Sequence, residues 1–451
     1  MNIAIIRDRI AIIVVSAYIL FNYGFQVVRI PFNEGPPIGE ILLLISLLFI
    51  DYKYLWNRIR HHREIYIVIT IWFLCITHLL IDIPKYGMWA LRDASHLVEM
   101  SFILLGFLSA KRSKGFIETH YAAITVIIIL YSLLYVFNVD STKLVPIIVS
   151  SSGSVTPIIT HVNTPSLLLL IGFGLLISDY NRNKYAIWAN LLIVTITLFT
   201  IVIFQSRTIL LQMAVMAIFV MYLKPKYINT LPILGVAFIL LLYVYTLIGI
   251  EPKGRLGISY DLNTLVNHIL AIFGKESEGL EAAASGVGQR LGWWYKILLD
   301  STESWTRLLL GKGYGVPLVD FIIANGVVVR EPHNSIISMF ARTGLIGMLL
   351  LIVLWYQLIR TWIRTHKLAT YMQDKKLLLF IRLLGMFFIL AWVFSLGEDA
   401  FEKPFWAIPF YYFWGVILRI NSYMLNEYSF RQNALIEIRN TKLSNIVEQR
   451  Q

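Results

Sequence analysis

Apolar runs of about bilayer-crossing length recur from one end of the chain to the other, separated by short polar turns. They lie near 9–29, 36–50, 65–83, 89–109, 119–138, 156–178, 185–204, 206–223, 229–250, 334–358, 377–396 and 404–420. Each predicts a helix, because in hydrocarbon a segment must satisfy its own backbone hydrogen bonds. The pattern predicts an all-α polytopic membrane protein with about twelve transmembrane helices. Spans one to nine fill residues 1–250, and spans ten to twelve fill 334–420. One long loop, 251–333, breaks the rhythm of short connections, and a polar tail covers 421–451. The loop carries amphipathic stretches, "YDLNTLVNHILAIF" and "QRLGWWYKILLDS", that predict helices lying at the membrane surface.

Composition agrees with this pattern. The chain is 57% hydrophobic and 15% charged, too apolar for a soluble domain of ordinary surface. Its net charge of +12 would suit nucleic acid, but the basic residues lie mainly in short loops. With a cytoplasmic N-terminus, "KYLWNRIRHHRE", "KRSK", "NRNK", "KPK" and the tail place most of them inside, as the positive-inside rule requires. The first apolar run lacks a small-residue cleavage site and reads as a retained span. The single Cys75 lies in an apolar run, which excludes an internal disulfide and argues against thiol chemistry.

Ionisable groups at membrane depth are costly, so each is a candidate for function. Arg207, in "FQSRTILL", opens a span on the outer face, where it fits a snorkelling anchor or a phosphate contact. Arg290 lies in the long loop beside Trp293 and Trp294. His333 and Asn334 close that loop at the start of span ten. Together, two fixed cations and one imidazole at the outer edge of a bundle suit an anionic lipid headgroup. Asn334 or Ser335 would cap span ten, whose N-terminal dipole favours an anion and should keep His333 neutral, as a general base must be. "HVNTP" puts His161 and Asn163 at the start of span six, as cavity lining or as a helix cap. "GEDAFEKPFW" sets Glu398, Asp399 and Glu402 among aromatic rings on the same face, a combination that suits sugars. No spacing there is diagnostic of Ca²⁺ or Mg²⁺. "LRDASHLVEM" reads as a structural ion-pair cluster of Arg92, Asp93, His96 and Glu99. "GKGYG" lacks the strand–helix context of a nucleotide loop and reads as a turn. Arg342, two turns into span ten, is expected to pair with Glu398 or Asp399, and "RTGLIG" around it supplies small residues for close helix packing.

The order "SRT", "R" then "WW", "GKGYG", "HN" and "GLIG", with this topology, resembles the O-antigen ligase and O-antigen polymerase superfamily over roughly residues 160–350. The resemblance implies a GT-C-like bacterial inner-membrane glycosyltransferase whose large loop and active site face the periplasm. The donor would be an undecaprenyl-diphosphate-linked glycan, with no metal or other cofactor needed. The acceptor would be lipid A-core for a ligase or a growing glycan for a polymerase, and the single dominant late loop leans towards the ligase. Carried over, Arg207 and Arg290 would bind the donor diphosphate, and His333 would assist the acceptor hydroxyl or the diphosphate. Asn334, Trp293, Trp294, Asn163, His161, Glu398 and Asp399 would line the substrate cavity. A flippase or transporter would instead predict an internal repeat and midplane charges, and neither pattern is present.

Overall fold

The computed structural model describes residues 3–29, 36–110, 147–149, 155–157, 164–178, 207–229, 281–319, 321–322 and 328–448, with scattered helical positions between them. The spans expected at 119–138, 185–204 and 229–250, the loop before residue 281, and His161 and Asn163 lie wholly or largely outside these residues.

The N-terminal part comprises α1 (Ile3–Phe21), α2 (Tyr23–Gln26), α3 (Ile38–Leu48), α4 (Tyr52–Ile59), α5 (Arg63–Tyr86), α6 (Met88–Asp93) and α7 (Ser95–Met100). A short antiparallel pair, β1 (Ile147–Val149) and β2 (Val155–Pro157), precedes α8 (Thr164–Ile177) and α9 (Arg207–Leu223). Next come α10 (Glu281–Ser301), α11 (Trp305–Leu310) and a second pair, β3 (Phe321–Ile322) with β4 (Val328–Val329). The chain closes with α12 (Ser335–Met372), α13 (Lys375–Ser395), a 3₁₀ turn at Ala400–Glu402 and α14 (Pro404–Glu448). Among the described residues α5, α12 and α13 are long and apolar enough to cross a membrane, and α3, α8, α9 and residues 95–110 form shorter apolar helices.

Several elements differ from the hydropathy reading. Span six begins at Thr164, not 156, because β-branched Val155 and Thr156 pair in a ladder with Ile147–Val149. Span four is broken at Ala94 between α6 and α7. Span ten runs on as far as Met372, and the tail after residue 420 continues α14 as helix. Amphipathic "QRLGWWYKILLDS" is helical, as expected, within α10.

The first half of α14 is the centre of the bundle. Trp406, Phe410, Tyr411 and Trp414 are all essentially solvent-inaccessible; Trp406 meets Phe387 and Phe394, while Phe410, Tyr411 and Trp414 meet Phe388, Phe401 and one another ring to ring. Rings bury large areas per residue and lock into edge-on geometries, so this helix is packed on every side. Its backbone comes close to residues 102–110: a Cβ on Gly106 would lie 1.8 Å from the Tyr412 carbonyl oxygen, and one on Gly415 would lie 2.0 Å from that of Ile103. Glycine at both crossings lets the helices touch backbone to backbone.

The feature that positions the site is a break in α12. Gly344 has φ 67°, so the helix is interrupted two and a half turns after it starts. The carbonyls freed there are taken by the loop sequence "GKGYG": Lys312 N–H donates to Ala341 O at 2.8 Å and Gly313 N–H to Arg342 O at 2.9 Å. A Cβ on Gly344 would lie 2.3 Å from the Leu309 carbonyl group, and one on Gly313 2.1 Å from an Asp82 oxygen. "GKGYG" is therefore more than a turn. It is inserted into a helix break and supplies the backbone partners that the break removes.

Candidate functional site

The break makes residues 335–343 a short helix of their own, with His333 and Asn334 at its tip. Asn334 caps it: the side-chain oxygen accepts from Ile336 N at 3.0 Å and Ile337 N at 3.1 Å. The same side chain donates to Leu396 O at 3.1 Å, and its backbone N–H donates to Asp399 at 3.1 Å. Asn334 thus fastens the tip of α12 to the loop after α13. His333, between Pro332 and this cap, takes φ 54°, a conformation uncommon for a non-glycine residue.

The opposing loop, residues 396–403, brings the charges. His333 Nδ1 is 3.1 Å from Glu398 Oε2 and 3.4 Å from Asp399 Oδ2. Lys403 Nζ is 3.3 Å from the same Glu398 oxygen and 3.9 Å from Asp399. Glu402 turns the other way and accepts from Ser335 Oγ at 2.7 Å. Arg290 arrives from α10, where Arg290, Trp293, Trp294 and Ile297 share one helical face. Ile297 is buried with Leu318, Val319 and Ala341, and this anchors the face against the short helix. From there Arg290 donates to Gly397 O at 2.6 Å and to Glu398 Oε1 at 3.3 Å. Trp293 lies 6.3 Å from the His333 ring, and the Trp294 indole donates to Pro332 O at 2.8 Å.

Arg207 opens α9, and the register of α9 is set from inside the bundle. Ser166 donates to Gln212, which donates to Leu390 O at 2.8 Å, linking α8, α9 and α13. The start of α9 therefore meets the end of α13: a Cβ on Gly397 would lie 3.3 Å from Thr208 Oγ1 and 3.8 Å from Arg290 Nη1. Arg207 is within electrostatic reach of Arg290 and has no carboxylate partner among the described residues. Sequence reading thus named two cations and an imidazole, Arg207, Arg290 and His333, that the fold brings to one place. It read Ser335 only as a candidate helix cap, and it missed Lys403 and Thr208 as members of the site. The charge-dense "GEDAFEK" was the available signal for Lys403, and Thr208 carried none.

The protonation of the site departs from expectation. Burial works against a charged His333, but Asp399 and Glu398 outweigh it and raise the imidazole pKa to about 9. The helix dipole that should have kept it neutral is a partial charge, and two full carboxylates override it. His333 is therefore an imidazolium at neutral pH and not the waiting base that the sequence suggested. Burial alone would raise the Glu398 carboxyl, yet the His333 hydrogen bond, Lys403 and Arg290 hold it down to about 2. Glu402 moves the other way, pushed up by burial and by nearby Asp399. Arg290, His333 and Lys403 lie against Glu398 and Asp399, with Arg207 within electrostatic reach of Arg290, and this surplus of cationic side chains leaves room for an anion.

This pairing has a pH signature. A raised folded-state pKa stabilises fully below the ordinary histidine value near 6.5 and is lost as pH rises through about 9. The melting temperature of the purified protein is expected to fall between those limits. His333→Gln should flatten that part of the profile, and an unchanged slope would refute the ion pair.

Arg342 does not pair with Glu398 or Asp399. Its guanidinium meets Glu331 at 2.6 Å and Asp93 at 3.0 Å, because the short helix turns it towards α6 and the "GKGYG" loop. Asp93 also accepts from Gly315 N at 3.0 Å and Arg330 at 3.2 Å. The ion-pair cluster expected among Arg92, Asp93, His96 and Glu99 does not form within that segment: Asp93 pairs with Arg330 and Arg342, far along the chain, and the buried Glu99 carboxylate makes no hydrogen bond among the described residues. His96 belongs instead to a neutral group, 3.1 Å from Tyr314 Oη and 3.8 Å from Cys75 Sγ. Among the described residues no three His, Cys, Asp or Glu side chains are grouped to hold a metal ion. Comparison of the chain with models of known protein families and with curated protein sequences returned no match.

Proposed function

We propose that this protein transfers a glycan from an undecaprenyl diphosphate carrier to a saccharide hydroxyl at the periplasmic face of a bacterial inner membrane, in the manner of an O-antigen ligase. The observation that carries the reading is the meeting of Arg290, His333, Lys403 and the Arg207 end of α9 on one loop at one end of an apolar bundle. A cluster with surplus positive charge beside lipid-facing helices suits a lipid diphosphate, and guanidinium groups match phosphate oxygens bidentately.

The chemistry follows from exchange of partners. The diphosphate competes with Glu398 for Arg290, and the acceptor oxygen attacks the anomeric carbon as the carbon–oxygen bond to phosphate breaks. Charge builds on the departing diphosphate, where Arg207, Arg290 and the His333 imidazolium stabilise it. Glu398, relieved of a counter-cation, becomes a stronger base and takes the hydroxyl proton, directly or by way of His333. Trp293 beside His333 offers a stacking surface for a sugar.

The same site serves a polymerase that joins repeat units, and the glycans of a deletion strain separate the two. Loss of long glycan from lipid A-core, with lipid-linked polymer accumulating, is the expected result. A single-repeat product would reassign the protein as a polymerase, and an unchanged glycan ladder would overturn both.

A further inference from the structure

A second cationic cluster lies next to the candidate site and has no part in the clamp. Gly87, at φ 56°, ends α5 and turns the chain into α6, which presents Trp89 to solvent, 47% exposed, beside Met88 at 76%. Two guanidinium groups lie over the Trp89 ring, that of Arg330 at 4.1 Å and that of Arg92 at 4.9 Å from its centre. Their situations differ. Arg330 is tied to Asp93 and to Gly315 O. Exposed Arg92 makes no hydrogen bond or close ion pair among the described residues; its contact is the Trp89 ring, with Asp93 and Glu331 within electrostatic reach.

The carboxylates within its reach are shared with other cations. Asp93 and Glu331 are engaged by Arg330 and Arg342. Asp82 points inward to the Tyr314 amide at 2.7 Å. Lys85, exposed on the last turn of α5, and Arg29, within electrostatic reach of Arg92, add to the positive field. Below the cluster, α5 carries an exposed apolar stripe, Ile69, Phe73, Ile76, Leu80 and Ile83, at the three- and four-residue spacing of one helix face. The stripe runs up to the turn at Gly87. An apolar track leading to an aromatic ring and a guanidinium that makes no hydrogen bond is complementary to acyl chains ending in an anionic headgroup. Arg330 is three residues from His333, within about 10 Å even along an extended chain.

We propose that Arg92, Trp89 and Arg330 form a headgroup subsite for a second lipid, one that carries phosphate and lies along α5. On the transferase reading above, on which this identification rests, that lipid is the anchored acceptor, held beside the clamp that takes the donor. Arg92 supplies the free guanidinium, Trp89 fixes its direction and marks the interface, and Arg330 links the subsite to the His333 segment. Arg92 is a binding residue here, with no role in the bond-making step.

The test uses the full chain in neutral detergent with brominated phosphatidylglycerol or brominated phosphatidylcholine, reading quenching of the Trp89 signal as the difference between wild type and Trp89→Phe. Stronger quenching by the anionic lipid is expected, and Arg92→Gln should abolish the preference while Arg92→Lys keeps part of it. Equal quenching by the two lipids, or a preference that survives Arg92→Gln, would overturn the proposal. So would loss of the preference on adding soluble glycerol phosphate alone, since a free phosphate would then suffice. Arg290→Ala should leave the preference intact, so this measurement stands or falls apart from the transfer chemistry. In a transfer assay Arg92→Gln should raise the acceptor KM about tenfold, the worth of a charge-assisted hydrogen bond, with kcat kept. A loss confined to kcat would remove the acceptor assignment.

Discussion

Replacing Arg290 with Ala is expected to slow glycan transfer by about 10²–10³-fold, with the protein still at normal levels in the membrane. The size follows from where the guanidinium is held. Its Nη1 is fixed by Gly397 O at 2.6 Å and its Nη2 reaches Glu398 at 3.3 Å, so it is oriented before any substrate arrives. A donor pre-aimed at developing charge needs no reorganisation during the reaction, and that is where such contacts gain most. The side chain is 34% exposed, so its removal leaves no buried vacancy and the fold should survive. Arg290→Lys should recover little, because a single ammonium cannot span the carbonyl and the leaving group together. His333→Ala should fall in the same range, since it removes the imidazolium and frees both carboxylates. Purified protein, lipid-linked donor and a single-turnover readout make the measurement. Wild-type rates in both variants would end the assignment of this site.

Glu398→Gln tests the exchange of partners more finely. The amide no longer competes for Arg290, so donor binding should tighten, while the lost base should lower kcat. A fall in both KM and kcat is the pattern of an interaction that opposes the ground state yet serves the reaction.

The parts of this architecture that were legible in the sequence are those set by local chemistry. α5 and α13 could be read directly because a continuous apolar run in lipid has one solution. Arg207, Arg290 and His333 stood out because charge at the edge of a hydrophobic run is costly and so conspicuous. What could not be read depends on partners distant in the chain. His333 takes its protonation from carboxylates 65 and 66 residues away, whereas the dipole argument saw only its own helix. Arg342 looked two turns deep in a straight span. The break at Gly344 and the docking of "GKGYG" instead turn it towards Asp93, which lies on the far side of the sequence. The break itself had a trace in "RTGLIG", read as a packing motif, but glycine serves equally for close packing and for a positive φ. β2 was largely absorbed into the run at 156–178, because a short apolar run does not distinguish strand from helix by periodicity.

Arg342→Leu is expected to destabilise the protein by about 3–5 kcal/mol, the range for removing one partner from a buried ion pair. Arg342 is 2% exposed and joins three segments that also meet at Asp93, Gly315 and Arg330. It holds Glu331 before the short helix, Asp93 at the end of α6, and the Gly313 and Val316 carbonyls of the inserted loop, at 3.3 and 3.4 Å. Leucine replaces the aliphatic stem but leaves Glu331 without its cation and Asp93 with Arg330 alone. Much of the cost is therefore the desolvation of carboxylates that remain, so removing charge from them should restore stability. Glu331→Gln combined with Arg342→Leu should recover a large part of the loss, a coupling that adding the single changes would not give. Denaturation in mild detergent, followed for both single variants and the double, measures this. If Arg342→Leu shifts stability by no more than a surface substitution, within about 0.5 kcal/mol, the network is ornamental. The same experiment bears on the site, because the segment Arg342 secures is the one that ends in His333. With the network broken, the fall in melting temperature between pH 6.5 and 9 that marks the His333 pair should shrink as well. In the double variant, stability should return while that pH dependence stays reduced, since Glu331→Gln removes a stranded charge without re-fastening the short helix to α6.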